Sequence, residues 1–282
     1  MIPSSFDYVK AGSVDEAVAA LAKGGDDAKV INGGQSLMPV LRLRMNSPSV
    51  VVDISEIPEL RSVTDEGDSL LIGAAVTTHE VMHNDLVKQH AGLLAQTAGT
   101  VADPAIRHKG TFGGSVAHAD PAGDLPTVAA LMDCVMVVAG PNGRRDIPAK
   151  EFFVDYFTTA LGADEILVAV RVPKMTDWGF DYQKFNRTAQ AWAIVGVAAA
   201  VLKDGNTIKE ARVALTNMGA TPVRASGVEA ALAGASGDAI ASAADKAAEG
   251  TKPTSDLHAD AAYREHLARV LTKRAVTAAA GA

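Results

Sequence analysis

Two paired-glycine bends, roughly 80 residues apart, constrain this chain more than any other feature. The first, Asn32-Gly33-Gly34-Gln35-Ser36, joins an apolar run, Ala28-Lys29-Val30-Ile31, to a helix expected to continue through Arg44. Val50-Val51-Val52-Asp53-Ile54 then reads as a buried strand, and a β-loop-helix-β order is the signature of an α/β unit. The second bend, Gly110-Thr111-Phe112-Gly113-Gly114-Ser115, lies in a stretch from about 103 to 126 that shows no periodicity. Irregular segments of that length are uncommon inside compact domains and usually serve a function.

Around these bends the chain reads as ordinary alternating structure. Ser13-Val14-Asp15-Glu16 predicts a capping box, Val14, Ala17, Val18 and Leu21 form one apolar face, and Gly24-Gly25 closes the helix. Leu70 to Ala74 predicts a strand, Thr77 a helix start, and Leu93 to Ala98 a further helix. Strands are expected at Ile166–Pro173, Trp192–Leu202 and Arg212–Thr216. An alanine-rich helical tail follows from 226 to 282, broken at Lys252-Pro253. A length of 282 residues suits two domains, with a boundary near 175.

A diphosphate is recognised by several backbone N–H groups converging on one concave spot. Glycine reaches positive φ cheaply and has no Cβ to block the ligand, so paired glycines suit that task. At the first bend a helix start adds its positive end, and the Ser36 hydroxyl adds a donor. Taken alone, each bend is equally readable as a tight turn. Together they fit one extended dinucleotide clamped from both sides, and a Cβ at Gly33 or Gly114 is expected to meet phosphate oxygens or forbid the needed φ. No G-x-G-x-x-G opens a helix and no G-x-x-x-x-G-K-[ST] occurs, which removes the Rossmann and P-loop readings.

With its bends and flanks taken together, the chain resembles the FAD-binding medium subunits of molybdenum hydroxylases, aerobic carbon monoxide dehydrogenase above all. The resemblance is carried by Asn32 to Pro39 and Thr111 to Ser115. It is supported by Ile2-Pro3, Ser5-Phe6-Asp7-Tyr8, Ala102-Asp103-Pro104, Ile106-Arg107, Leu215-Thr216-Asn217, Thr221-Pro222, Tyr263-Arg264 and Lys273-Arg274-Ala275. It implies an α/β (α+β) fold: a two-part FAD-binding domain over 1–175, divided near 57, and a C-terminal domain of antiparallel sheet with helices over 176–282. It also implies that Ile31, Asn32, Gly33, Gly34, Gln35, Ser36 and Leu37, with Thr111, Phe112, Gly113, Gly114 and Ser115, hold the diphosphate. By the same resemblance Asp124 binds the ribose or adenine side, Leu167 lines the site, Lys184 lies near the flavin ring and Trp192 covers it, where the carbon monoxide enzyme has tyrosine. Asn32 stands where the family commonly has alanine, and Phe112 where it commonly has isoleucine. Iron–sulfur (2Fe-2S) clusters and a molybdopterin cofactor are expected in a small and a large partner subunit, assembled as a dimer of heterotrimers. Electrons would then leave to a quinone or another acceptor.

Composition sets limits on the rivals. The single cysteine, Cys134, rules out an internal disulfide and a cluster held by this chain alone, and its apolar surroundings predict an inert core thiol. A formal net charge of -7 without a basic block argues against nucleic acid. With no signal-like start and no run of about 18 apolar residues, a cytoplasmic protein is expected, peripheral to a membrane at most through its complex. His79-Glu80-Val81-Met82-His83 matches the zinc-peptidase H-E-x-x-H pattern. Thr77 to Glu80 equally forms a capping box, and Leu86 and Gln89 stand where the extended pattern needs Gly and His. His108 and His118 are expected to be solvated loop histidines, with a cofactor contact the alternative for His118; Arg42 and Arg44 are expected on a surface helix, with FAD or a partner chain as the alternative they could face. A stand-alone flavin oxidase is the remaining rival, for which the C-terminal third offers little substrate-capping domain.

Overall fold

The computed structural model describes residues 2–281. Three sheets succeed one another along the chain. In the first unit β1 (Asp7–Lys10), helix α1 (Val14–Gly24), β2 (Ala28–Ile31), helix α2 (Leu37–Arg42) and β3 (Val50–Asp53) form a parallel sheet of order β1-β3-β2. Ser13 caps α1 by accepting from the Glu16 amide at 3.2 Å, but Glu16 reaches the Gly12 amide, at 2.7 Å, rather than that of Ser13. The α2 helix stops at Arg42, short of the expected Arg44, because Arg44 turns to a φ of 57°.

The second sheet is antiparallel and contains β4 (Val63–Asp65), β5 (Ser69–Gly73), β6 (Val135–Gly140), β7 (Gly143–Pro148) and β10 (Ile166–Pro173), in the order β4-β5-β10-β6-β7. Between β5 and β6 run α3 (Thr78–His83), α4 (Asp85–His90), α5 (Gly92–Thr100), α6 (Pro104–Arg107), α7 (Phe112–His118) and α8 (Asp124–Leu131). The stretch expected to be irregular thus holds three short helices. Asp103 and Thr111 cap two of them, accepting from the amides of Ile106 at 2.9 Å and Gly114 at 3.0 Å. Helices of four and seven residues are too short for a 3.6-residue period to register, and a Gly-Gly pair in a first turn reads as a loop. Helix α9 (Ala149–Phe152) and the small ribbon β8 (Phe153–Asp155) with β9 (Thr158–Thr159) connect β7 to β10.

The third sheet is a meander of β11 (Gly179–Phe185), β12 (Val195–Asp204), β13 (Thr207–Thr216) and β14 (Val223–Arg224), followed by α10 (Ser226–Leu232), α11 (Ile240–Ala244) and α12 (Ala261–Ala280). Its two faces have different partners. Val195, Val197, Ala199 and Val201 pack with α10 to α12, whereas Ala198 and Ala200 join the core of the second unit. Strand period is 2, so small alanines on one side admit α5 and α8 while valines fill the other. Each fully buried valine contributes about 1.5–3 kcal/mol. Strand β12 begins at Val195, so Trp192 lies in the loop before it rather than within the strand as expected.

Candidate functional site

A cleft of about 770 Å³ opens where the three sheets meet, a size typical of small-molecule sites. One wall is the bend after β2, the opposite wall is α7, and the loop between β11 and β12 closes the mouth. Asn32, Gly33, Gly34, Gln35, Ser36, Leu37, Thr111, Gly113, Gly114, Ser115, Asp124, Leu167, Lys184 and Trp192 all line it. Ile31 and Phe112 do not. Ile31 ends β2 with its carbonyl taken by the Ile54 amide, at 3.0 Å. Phe112 is fully buried in the core, and its amide donates to the Val76 carbonyl at 3.0 Å.

The glycines act first on the protein itself. A Cβ on Gly33 would lie 2.0 Å from the Lys109 carbonyl oxygen, because the two bends press backbone on backbone. One on Gly113 would sit 2.5 Å from Ala74, and one on Gly114 2.7 Å from the capping Thr111 hydroxyl. Gly34 alone of the four needs a positive φ, 72°. The expected collision with phosphate oxygens at Gly33 and Gly114 is therefore preceded by collisions within the fold.

Among the described residues no protein acceptor takes the amides of Gly33, Gly34, Gln35 or Ser36. Buried or half-buried backbone donors are almost always paired, so four consecutive open ones form a nest for an anion. Asn32, the departure from alanine, ties this bend to the second sheet by donating to the Ala74 carbonyl at 3.0 Å. Its Oδ1 is buried without a partner.

At the inner end Asp124, 4% exposed, accepts from Lys184 Nζ at 2.7 Å and from the Tyr182 hydroxyl at 2.6 Å. Lys184 also donates to the Thr100 carbonyl, at 3.2 Å. The Tyr182 oxygen lies 3.1 Å from Thr216 Oγ1, which donates to Thr127 at 2.8 Å. Burial pushes the Asp124 carboxyl up, opposed by the Lys184 charge, and burial with the Asp124 charge pushes the Tyr182 phenol up. Both Asp124 oxygens already serve protein donors, so Asp124 is an anchor for Lys184 before it is a ribose or adenine contact.

Trp192 is 57% exposed and stands at the mouth, so it is not a core residue. His118 also departs from expectation: it is half-buried, lines the cleft and packs against Phe157 with ring centroids 5.2 Å apart. Burial lowers its pKa and raises that of the neighbouring Asp120. Sequence reasoning missed Asp120 and Gln190 as cleft residues. Asp120 could have been flagged by its place between the second bend and Asp124, whereas nothing marks Gln190. The H-E-x-x-H residues are used locally. Glu80 completes the Thr77 capping box, and the His79 ring stacks on His108 at 3.8 Å and lies 4.3 Å from His83. Among the described residues no three His, Cys, Asp or Glu side chains group around a point that could hold a metal ion. Cys134 is buried, and burial pushes its thiol up.

Comparison with known proteins agrees with this geometry. Residues 4–175 match the family described as the FAD binding domain in molybdopterin dehydrogenase, and residues 180–279 the CO dehydrogenase flavoprotein C-terminal domain. The carbon monoxide dehydrogenase medium chain of Hydrogenophaga pseudoflava is 39% identical, over 99% of this chain and 98% of its own length. Subunit alpha of the 6-hydroxypseudooxynicotine dehydrogenase complex of Paenarthrobacter nicotinovorans is 37% identical, over 99% of this chain and 96% of its own. The solved carbon monoxide dehydrogenase from Hydrogenophaga pseudoflava superposes with a TM-score of 0.96 at 40% identity, covering 99% of this chain and 98% of that one. The nest, the cleft and the two matching domains together make this chain a member of the FAD-binding medium subunits of molybdenum-hydroxylase oxidoreductases.

Proposed function

We propose that this chain holds FAD between its two glycine bends and conveys electrons from the 2Fe-2S clusters of a small partner subunit to a quinone or another acceptor. A large molybdenum subunit would oxidise the substrate, with carbon monoxide as the first candidate, in a dimer of heterotrimers located in the cytoplasm or against its membrane. Residues 1–175 would form the flavin-holding domain and 176–282 the C-terminal domain that completes the cleft. The observation that carries this reading is the run of open amides at Gly33–Ser36, facing α7 across one cleft that also holds the Lys184 ammonium.

Bound FAD accepts and gives up electrons singly or in pairs. The chain's own residues do the rest. Amides of Asn32–Leu37 and Gly113, with the Ser115 hydroxyl, would hold the diphosphate, the Gly114 and Ser115 amides being taken by Thr111. Leu167, 4% exposed, offers an apolar wall. Lys184, fixed by Asp124, supplies a positive charge that favours an anionic ring, and Trp192 screens the mouth from water.

The test is to purify the chain with its natural companions and record the absorption spectrum before and after anaerobic addition of carbon monoxide. Flavin bands that bleach with carbon monoxide support the reading. A complex that releases no FAD on denaturation refutes FAD binding, and bleaching only with an N-heterocycle refutes the substrate assignment. The second is a live outcome, since a relative at 37% identity is named for 6-hydroxypseudooxynicotine.

A further inference from the structure

Asn217 and Arg264 stand outside the cleft lining, yet both aim at one short piece of chain. Asn217 follows β13 with a φ of 63°, a left-handed conformation that Asn tolerates better than most residues. Its Nδ2 donates to the carbonyls of Ala193, at 2.8 Å, and Ile194, at 3.3 Å. Its backbone N–H donates to the Pro121 carbonyl at 2.8 Å. Arg264, in the first turn of α12 and 1% exposed, donates from Nη1 to the same Ile194 carbonyl and from Nη2 to Asp256 at 2.6 Å.

Ala193 and Ile194 form the base of the β11–β12 loop, residues 186–194. The tip of that loop contributes Gln190, Ala191 and Trp192 to the cleft, and Gln190 donates to the Asp103 carboxylate across its mouth. Pro121 lies in the segment that leads to Asp124. Asn217 therefore joins two parts of the cleft wall from behind. The buried guanidinium divides its donors between this backbone carbonyl and the Asp256 carboxylate, an expensive device whose Nε remains without a partner. Fold stability alone gives little reason for it, since an apolar side chain would fill the space at lower cost.

We propose that Asn217 and Arg264 are positioning residues that fix the base of the 186–194 loop and thereby hold Trp192 and Gln190 over the FAD cleft. The inference rests on the FAD reading above. Neither residue touches the cofactor; both act through the loop.

The decisive variant is Asn217→Gly, because glycine takes the left-handed backbone freely and only the two side-chain hydrogen bonds are lost. Asn217→Asp keeps the shape but sets a carboxylate oxygen against two carbonyls. In the purified complex both variants are expected to exchange the amides of residues 188–194 about tenfold faster, the loss of one or two net hydrogen bonds. FAD should dissociate about tenfold faster as well, with a changed long-wavelength flavin band, while exchange in β12 and β13 stays at its wild-type rate. Arg264→Lys, which keeps the charge but not the fork, should move the same readouts in the same direction. Wild-type loop exchange in both Asn217 variants overturns the proposal. So does a loosened loop with an unchanged flavin dissociation rate and spectrum. A wild-type complex that holds no flavin would instead sink the FAD reading, an outcome distinguishable from failure of the clamp.

Discussion

Replacing Gly33 by alanine adds a single methyl group at the point where the two bends touch. The new Cβ would lie 2.0 Å from the Lys109 oxygen, 2.8 Å from its carbonyl carbon and 2.9 Å from Gly110 Cα. Ordinary contact begins near 3.4 Å, so the bends must part by more than 1 Å, and neither side is a flexible side-chain tip. Parting them strains the bond from the Thr78 amide to the Gly110 carbonyl, now 2.8 Å, and with it the placement of α7. Overpacking of this kind costs about 1–3 kcal/mol, and backbone on both sides puts Gly33→Ala near the top of that range. Gly34→Ala is the control. Its φ of 72° makes alanine costly by about 1–2 kcal/mol, but the nearest atoms are side-chain carbons of Met38, at 3.3 Å, and Ile31, at 3.4 Å, which can yield. The assay pairs the flavin-to-polypeptide ratio of the purified complex with urea unfolding followed by tryptophan fluorescence. Gly33→Ala should lose nearly all flavin and about 3 kcal/mol, and Gly34→Ala should lose less of both. Full flavin content and near wild-type stability in Gly33→Ala would refute the contact between the bends.

The other predictions concern charge. Lys184→Met leaves Asp124 buried with only the Tyr182 hydroxyl, and breaking a buried pair on one side costs about 3–5 kcal/mol. The uncompensated carboxyl then has a folded pKa above its unfolded value. Its penalty is therefore absent at low pH and grows as pH rises past the ordinary aspartate range, which urea midpoints at several pH values will show; adding Asp124→Asn should abolish that pH dependence. Glu165 is held below the usual glutamate range, first by the paired guanidinium of Arg145. A depressed carboxylate stabilises the fold above its unfolded pKa and loses that as pH falls through the folded value. Arg145→Met should accordingly flatten the acid limb of the stability profile, modestly because the arginine is solvated. Cys134, buried and with its thiol pushed up, should resist a disulfide reagent in the native protein and react in full once unfolded. Rapid labelling of the native chain would contradict the packing around it.

Much of the first unit was readable because its signals are local. The run Ala28 to Ile31, the glycine bend and the run Val50 to Ile54 each lie within a few residues, and the parallel sheet follows from their order. Strand β11 was not readable as a strand: Asp181, Gln183 and Lys184 interrupt its apolar pattern because that edge faces α5 and the cleft. The Asp124–Lys184–Tyr182 cluster gathers residues about 60 positions apart, and hydrophobic periodicity says nothing about such pairings. The apolar run through Trp192 reads as a strand, whereas the base of its loop is bonded to Asn217 and Arg264, more than twenty residues away in sequence. The glycines stand out in the sequence, but for one reason too few. Their contact with each other is a tertiary fact, and only the ligand side of the argument is visible locally.

The Asp124–Lys184 pair joins α8 to β11, an edge strand whose one neighbour is β12, itself paired on its far side with β13. The part of the cleft wall that carries Lys184, Gln190, Ala191 and Trp192 thus comes late in translation. A nascent chain that has emerged only as far as β10 carries the amide nest but neither the lysine nor the loop at the mouth. If FAD lies in the cleft as proposed, its firm retention would wait for the C-terminal sheet to dock, tying flavin loading to the last strands made.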